Sequence, residues 1–187
     1  MPYVARPYKT ILLTGPRPGD IGNLIALAQI FDLSISAMKS TLSLIPAQSD
    51  LVKEVRCEST QVHWTLNVGG RIVEFSGTGE LSSGLASLIL LELAGLHARH
   101  HARVEPTFLL LDEFLDVYHA AAQVAALERL HRAAEHAQVA IVSHSPVLLA
   151  EVQPDWAITA LEPRPQNRWD SPLDFEIETK RLPETGG

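Results

Sequence analysis

Apolar and polar positions change rhythm several times in the first 80 residues, and each change predicts an element. TILLT (10–14) is a short apolar run and reads as a strand. GPRPGD (15–20) follows, and its two prolines and two glycines dictate a turn. A helix is expected over about Ile21–Phe31, with Asp20 as its cap. Asp32–Leu33–Ser34 breaks the pattern. A second helix is expected from Ile35 to Ile45, capped by Ser34 and stopped by Pro46. Alternation in Thr60–Asn67 sets Val62, Trp64 and Leu66 on one side, as in a half-buried strand. Gly69–Gly70 turns the chain, and Arg71–Phe75 returns as the partner strand. Ser76–Gly79 reads as a flexible loop of small residues.

The pattern is strongest further on. Ser82 or Ser83 can cap a helix running through Leu85–Leu96. ARHHARVEPT (98–107) reads as a polar connection. FLLLD (108–112) is almost wholly apolar and ends in a carboxylate, which predicts a central parallel strand covered on both faces. Ala120–His136 is helical by composition, with Val124, Leu127 and Leu130 on a shared stripe. VAIVS (139–143) predicts another buried strand. Strand, helix and strand make an α/β unit with a right-handed crossover. Trp156–Leu161 and Phe175–Thr179 are further candidate strands. No internal repeat is visible.

The bulk numbers narrow the picture. A chain of 187 residues, 46% hydrophobic and 20% charged, suits one globular domain with a small appendage. The formal charge of -7 supplies no positive field, so electrostatic capture of nucleic acid by this chain alone is not expected. Cys57 is the only cysteine, which excludes an intrachain disulfide and a thiolate metal cluster. The first 15 residues lack the pattern of a signal peptide. Leu85–Leu96, interrupted by Glu92, is too short for a membrane span. The expectation is a soluble cytoplasmic protein with no membrane partner.

Three places carry candidate chemistry. Asp112 and Glu113 follow a buried strand directly, where open α/β sheets bind ligands. Side chains alternate along extended chain, so one carboxylate can serve Mg²⁺ while its neighbour orients a water. An acidic pair at a strand end is also often just a solvated turn. His144 ends the next strand, and a neutral imidazole there can contact a terminal phosphate or steady an attacking water. The plainer alternative is a capping or loop histidine. LSSG (81–84) opens a helix, where free backbone N–H groups and a hydroxyl make an anion site or an ordinary N-cap. His97, His100 and His101 are a further metal candidate, set against a solvated loop.

Taken together, LSSG (81–84), FLLLDE (108–113) and VAIVSHSP (139–146) resemble the C-terminal half of an ABC-type ATPase head. The branch it resembles includes RecF-like, SMC-like and OLD-like ATPases, and the resemblance covers about 75 residues. It implies a partial P-loop NTPase-like layered α/β fold with parallel core strands, plus a small N-terminal α/β segment. It implies ATP and Mg²⁺ as ligands of a composite site. Ser83, beside Ser82, would touch the γ-phosphate of ATP held by an opposing subunit, and Gly84 would let that backbone approach. Asp112 would be the Mg²⁺-water aspartate, Glu113 the general base or water orienter, and His144 the switch histidine. His119 stands where OLD-like members carry the histidine of a Leu-His pair, with Tyr118 before it and Phe114 in place of their proline. That position would face the partner subunit.

The first half of such a head is missing. A P-loop needs GxxxxGK[ST] after a strand. Counting from Gly15, Asp20 stands at the second glycine position and Ile21 at the lysine position. An aspartate beside a triphosphate repels it. The signature also carries Ser83 where Gly is commoner and Leu85 where Glu or Gln is usual. Three domains follow from this reading: 1–56 of unclear role, 57–165 as the head-like lobe, and 166–187 as a tail. Residues 24–47 also resemble the helical part of a ribosomal stalk protein's C-terminal domain and a helix-turn-helix, where Lys39 alone could contact DNA, and the same pattern suits any packed helix pair. The functional expectation is a composite ATPase subunit whose partner is a P-loop-containing subunit or second head, with indirect DNA association open. The alternatives are a non-catalytic adaptor that keeps an ATPase-like surface and a small DNA-associated regulator.

Overall fold

The computed structural model describes residues 9–14, 20–76, 81–101, 106–116, 118–152, 156–163 and 175–180. Its strands are β1 (Lys9–Thr14), β2 (Val52–Glu58), β3 (Gln61–Val68), β4 (Arg71–Ser76), β5 (Thr107–Asp112), β6 (Gln138–Val142), β7 (Ile158–Pro163) and β8 (Phe175–Lys180). Its helices are α1 (Leu24–Ile30), α2 (Ile35–Leu44), α3 (Ser83–His101), α4 (Ala120–Ala134) and α5 (Pro146–Glu151). Two compact units result, Met1–Leu149 and Ala150–Gly187. The second contains the antiparallel pair β7–β8.

The first unit is a mixed α/β fold with two sheets. Parallel strands in the order β1-β5-β6 form the core sheet. Ile11 and Leu13 of β1 stand in register with Leu109 and Leu111 of β5, and all four are buried. That face takes the apolar stripes of α3 and α4, where Ile89, Leu93, Leu96, Ala126 and Leu130 are buried. The other face is only partly covered. Phe108 and Leu110 are half-buried, Leu12 is 50% exposed and Val142 is 46% exposed. The expectation of a strand covered on both faces therefore holds for one face of β5, and β6 is a half-buried edge. Pairing of β1 with β5 also carries the core sheet across the expected boundary at residue 56.

The second sheet is the antiparallel meander β2-β3-β4. Gly69 and Gly70 have φ of +59° and +82°, the left-handed pair that a two-residue hairpin turn requires. Val62, Trp64 and Leu66 are buried on one face, as their alternation predicts. The Trp64 indole N–H donates to the Ile21 carbonyl at 2.9 Å and ties this sheet to the N-terminal turn. β2 was not anticipated, because Val52, Val55 and Cys57 alternate with charges too weakly to stand out from a loop.

Several helix ends differ from expectation. Asp20–Gly22 forms a 3-10 turn, and Asn23 rather than Asp20 caps α1, its Oδ1 accepting from Ile25 and Ala26 N–H at 2.8 and 3.2 Å. An Asn can close this cap three residues further on because the tighter turn absorbs Asp20 first. Ser34 caps α2 as expected. α3 runs through His101, so His97, His100 and His101 belong to a helix and not to a polar loop. His97 is buried, its ring 6.0 Å from that of Phe31. Burial of that imidazole supports the helix beyond Leu96. The expected turns at 15–19 and 77–80 lie outside the described residues.

Candidate functional site

The carboxyl edge of the parallel sheet gathers the acidic pair and the histidine. Asp112 ends β5 between Thr14 of β1 and Val142 of β6 in register. The Glu113 N–H donates to the Val142 carbonyl at 3.0 Å, which carries the ladder one step past the strand. Glu113 itself has φ of +50°, a left-handed conformation that costs a non-glycine residue energy. This bend turns the chain sharply at the sheet edge.

Two apolar side chains hold the bend. Phe114 and Leu115 are buried at 0% and 1% exposure. The Asp116 N–H donates back to the Glu113 carbonyl and the Tyr118 N–H to the Leu115 carbonyl. From α4, the Gln123 amide donates to the same Leu115 carbonyl at 3.0 Å. Thus the residues after Glu113 anchor the loop, while Asp112 and Glu113 stay exposed.

His144 follows β6 and meets this loop. Its Nδ1 lies 3.8 Å from Glu113 Oε1 and 3.1 Å from Asp116 Oδ2. Asp116 is the residue that reading the sequence missed. Its side chain is only 8% exposed, and three donor groups converge on it. The Ser143 hydroxyl donates to Oδ1, the His144 backbone N–H donates to Oδ2 at 3.1 Å, and the imidazole Nδ1 is the third. The Ser143 oxygen in turn accepts the Ser145 N–H at 3.0 Å, and the Ser145 hydroxyl donates to Gln123 Oε1 at 2.8 Å. A polar chain therefore fastens the loop after β6 to the loop after β5 and to α4. No spacing in the sequence signals it, because Asp116 and Ser143 stand 27 positions apart.

The remaining candidates sit around the opening of two helices. The Ser82 hydroxyl accepts the Leu85 N–H at 3.3 Å, an N-cap on α3, and Ser83 is exposed in the first turn. Gly84 faces the Tyr118 ring: a Cβ built there would stand 3.5 Å from Cδ1. Tyr118 packs edge-on against Phe114 at 6.3 Å. Burial pushes its phenol above the ordinary value, and its oxygen has no hydrogen-bond partner among the described residues. His119 is exposed and caps α4, Nδ1 accepting the Ala122 N–H at 3.3 Å. The structure therefore brings Asp112, Glu113 and His144 to one rim and adds Asp116. Ser82–Gly84 open α3 beside Tyr118, and His119 opens α4.

Asp112, exposed at the end of β5, could offer one carboxylate to a cation. Mg²⁺ is commonly held by one or two carboxylates together with substrate phosphates, so a single exposed aspartate at a strand end fits that ion. Among the described residues no group of three His, Cys, Asp or Glu side chains could enclose a metal. Among known proteins, no family model, no curated protein and no solved structure matches the chain.

Proposed function

We propose that this chain is one half of a composite ATPase site, completed by a P-loop-containing subunit. The observation that carries the reading is the approach of His144 Nδ1 to 3.8 Å from Glu113 Oε1, beside Asp112 at the carboxyl edge of a parallel sheet. Ligands of open α/β sheets bind at this edge. An acidic doublet and an imidazole there can act on one water.

In this reading Glu113 orients the water that attacks the γ-phosphorus of ATP. Asp112 holds the water shell of a Mg²⁺ ion, which supplies charge neutralisation to the phosphates when bound. His144 stands close enough to Glu113 to act on the same water or on the terminal phosphate. Ser83 and Gly84 present a hydroxyl and a bare backbone at the start of α3 to nucleotide held by the opposing subunit. The partner supplies the lysine and backbone cradle that Asp20 and Ile21 cannot.

The test is ATP turnover with Mg²⁺ by this chain mixed with a P-loop protein that lacks its own Asp-Glu strand. Turnover in the mixture that disappears with Glu113→Gln supports the reading. A mixture no more active than the P-loop protein alone refutes it. The absence of a P-loop favours a second reading, a non-catalytic adaptor that docks through the same surface. It predicts association that is independent of nucleotide and indifferent to Ser83→Ala.

A further inference from the structure

The geometry points to Asp116 as a positioning residue that fixes the tautomer of His144, so that Nε2 offers a lone pair to the attacking water and no N–H to the phosphate. This rests on the ATPase reading for the identity of the water, but not for the tautomer itself.

The two ring nitrogens have different surroundings. Nδ1 has two carboxylate oxygens as neighbours, Asp116 Oδ2 at 3.1 Å and Glu113 Oε1 at 3.8 Å. A carboxylate only accepts hydrogen bonds. A bare nitrogen lone pair at 3.1 Å from such an oxygen would meet repulsion, so Nδ1 carries the proton. In a neutral imidazole the proton sits on one nitrogen and the other is an acceptor. The acceptor here is Nε2, on a side chain 76% exposed at the rim.

Asp116 is built to hold this arrangement. Its carboxylate is nearly buried and receives the Ser143 hydroxyl and the His144 N–H besides the ring. The backbone N–H of His144 fixes the residue, and the same Oδ2 then orients its ring. Ser143, Ser145 and Gln123 brace the carboxylate from behind through a continuous chain of hydrogen bonds. Glu113 has no such support and is 66% exposed.

The consequence is chemical. A terminal phosphate oxygen is anionic and wants a donor, which a lone pair on Nε2 cannot be. A water wants an acceptor for one of its protons. His144 therefore takes a hydrogen bond from the attacking water and accepts its proton. The water oxygen bonds to the γ-phosphorus, the bond from phosphorus to the ADP oxygen breaks, and its electron pair leaves with ADP. The proton rests on Nε2, where Asp116 and Glu113 balance the ring's charge, until it passes to solvent. Glu113 Oε1 lies on the Nδ1 side of the ring, so Glu113 reaches this water only by turning its exposed side chain.

The test is long-range ¹H–¹⁵N NMR of the full chain with ¹⁵N-labelled histidine, with no nucleotide and no partner. The spectrum of His144→Gln assigns the His144 signals by their loss. The expected result at a pH where the ring is neutral is a protonated Nδ1 and an unprotonated Nε2. The opposite tautomer overturns the inference. Asp116→Asn keeps the shape of the side chain and gives it an N–H donor, so the Nδ1–H form is expected to yield to Nε2–H. An unchanged tautomer in a folded Asp116→Asn protein also overturns it. If that variant does not fold, the wild-type spectrum alone decides. In the reconstituted ATPase, Asp116→Asn is expected to lower kcat at least tenfold with KM unchanged. A normal tautomer result beside an inactive mixture would remove the ATPase reading and leave the Asp116–His144 pair standing.

Discussion

Tyr118 and Gly84 show how single residues can serve the fold and the proposed site at once. The Tyr118 phenol is buried without a hydrogen-bond partner among the described residues, and burial raises its pKa above the ordinary 10.0. Below about pH 10 both folded and unfolded chains keep this proton, and its contribution to stability is constant. Above that pH the unfolded chain loses the proton first, so stability falls. Denaturation by urea between pH 8 and 11 is expected to show a decline that is smaller in Tyr118→Phe. That variant should be as stable as the wild type or more so at pH 8, since it removes an unsatisfied hydroxyl. Gly84→Ala adds a Cβ at ordinary contact distance from the ring, 3.5 Å from Cδ1. Within the first turn of α3 it should be neutral or stabilising by up to about 1 kcal/mol. Under the composite-site reading Ser83→Ala, not this change, should weaken ATP-dependent association, because a Cβ at Gly84 faces the Tyr118 ring of the same chain.

Among the elements, the strands of the parallel sheet were legible, whereas β2 and several boundaries and neighbours were not. TILLT and FLLLD announced β1 and β5 because runs without polar breaks have few other uses, and the Trp64 alternation announced β3. The end of α3 was illegible because Arg99, His100 and His101 look like loop, while burial of His97 keeps the helix going. Asp116 was illegible for a different reason: its role exists only through contacts with residues on another element. Packing of α3 on α4 gives a further prediction. Arg129 Nε meets Glu92 Oε1 at 2.8 Å, with side chains 17% and 11% exposed, and Arg129 also donates to the Ala125 carbonyl. Removing one partner strands a mostly buried charge. Glu92→Leu is expected to cost about 3 kcal/mol in urea denaturation. The double change Glu92→Leu with Arg129→Met should cost less than Glu92→Leu alone, since no charge is left behind. Equal or greater loss in the double variant would mean that the pair contributes more than its desolvation costs.

On the scale of the whole molecule, a core sheet of three parallel strands has one face filled by α3 and α4 and one face only half-covered. Parallel sheets are usually covered on both faces. Half of a composite ATPase would show such a sheet, with the acidic pair present and the phosphate cradle absent. Among the described residues no helix is long and apolar enough to cross a membrane. The charge of -7 is unfavourable for contact with DNA except through a partner. In the composite-site reading the Glu113–His144 rim does chemistry only in company. The most direct measurement is Mg²⁺-dependent ATP turnover by the purified chain, by its P-loop partner and by the two together, each with wild-type and Glu113→Gln chains. This chain alone is expected to show no turnover, the mixture is expected to turn over ATP, and Glu113→Gln is expected to lower the mixture's rate about 100-fold or more. Turnover by the isolated chain, or a mixture whose rate ignores Glu113→Gln, would contradict the composite-site reading.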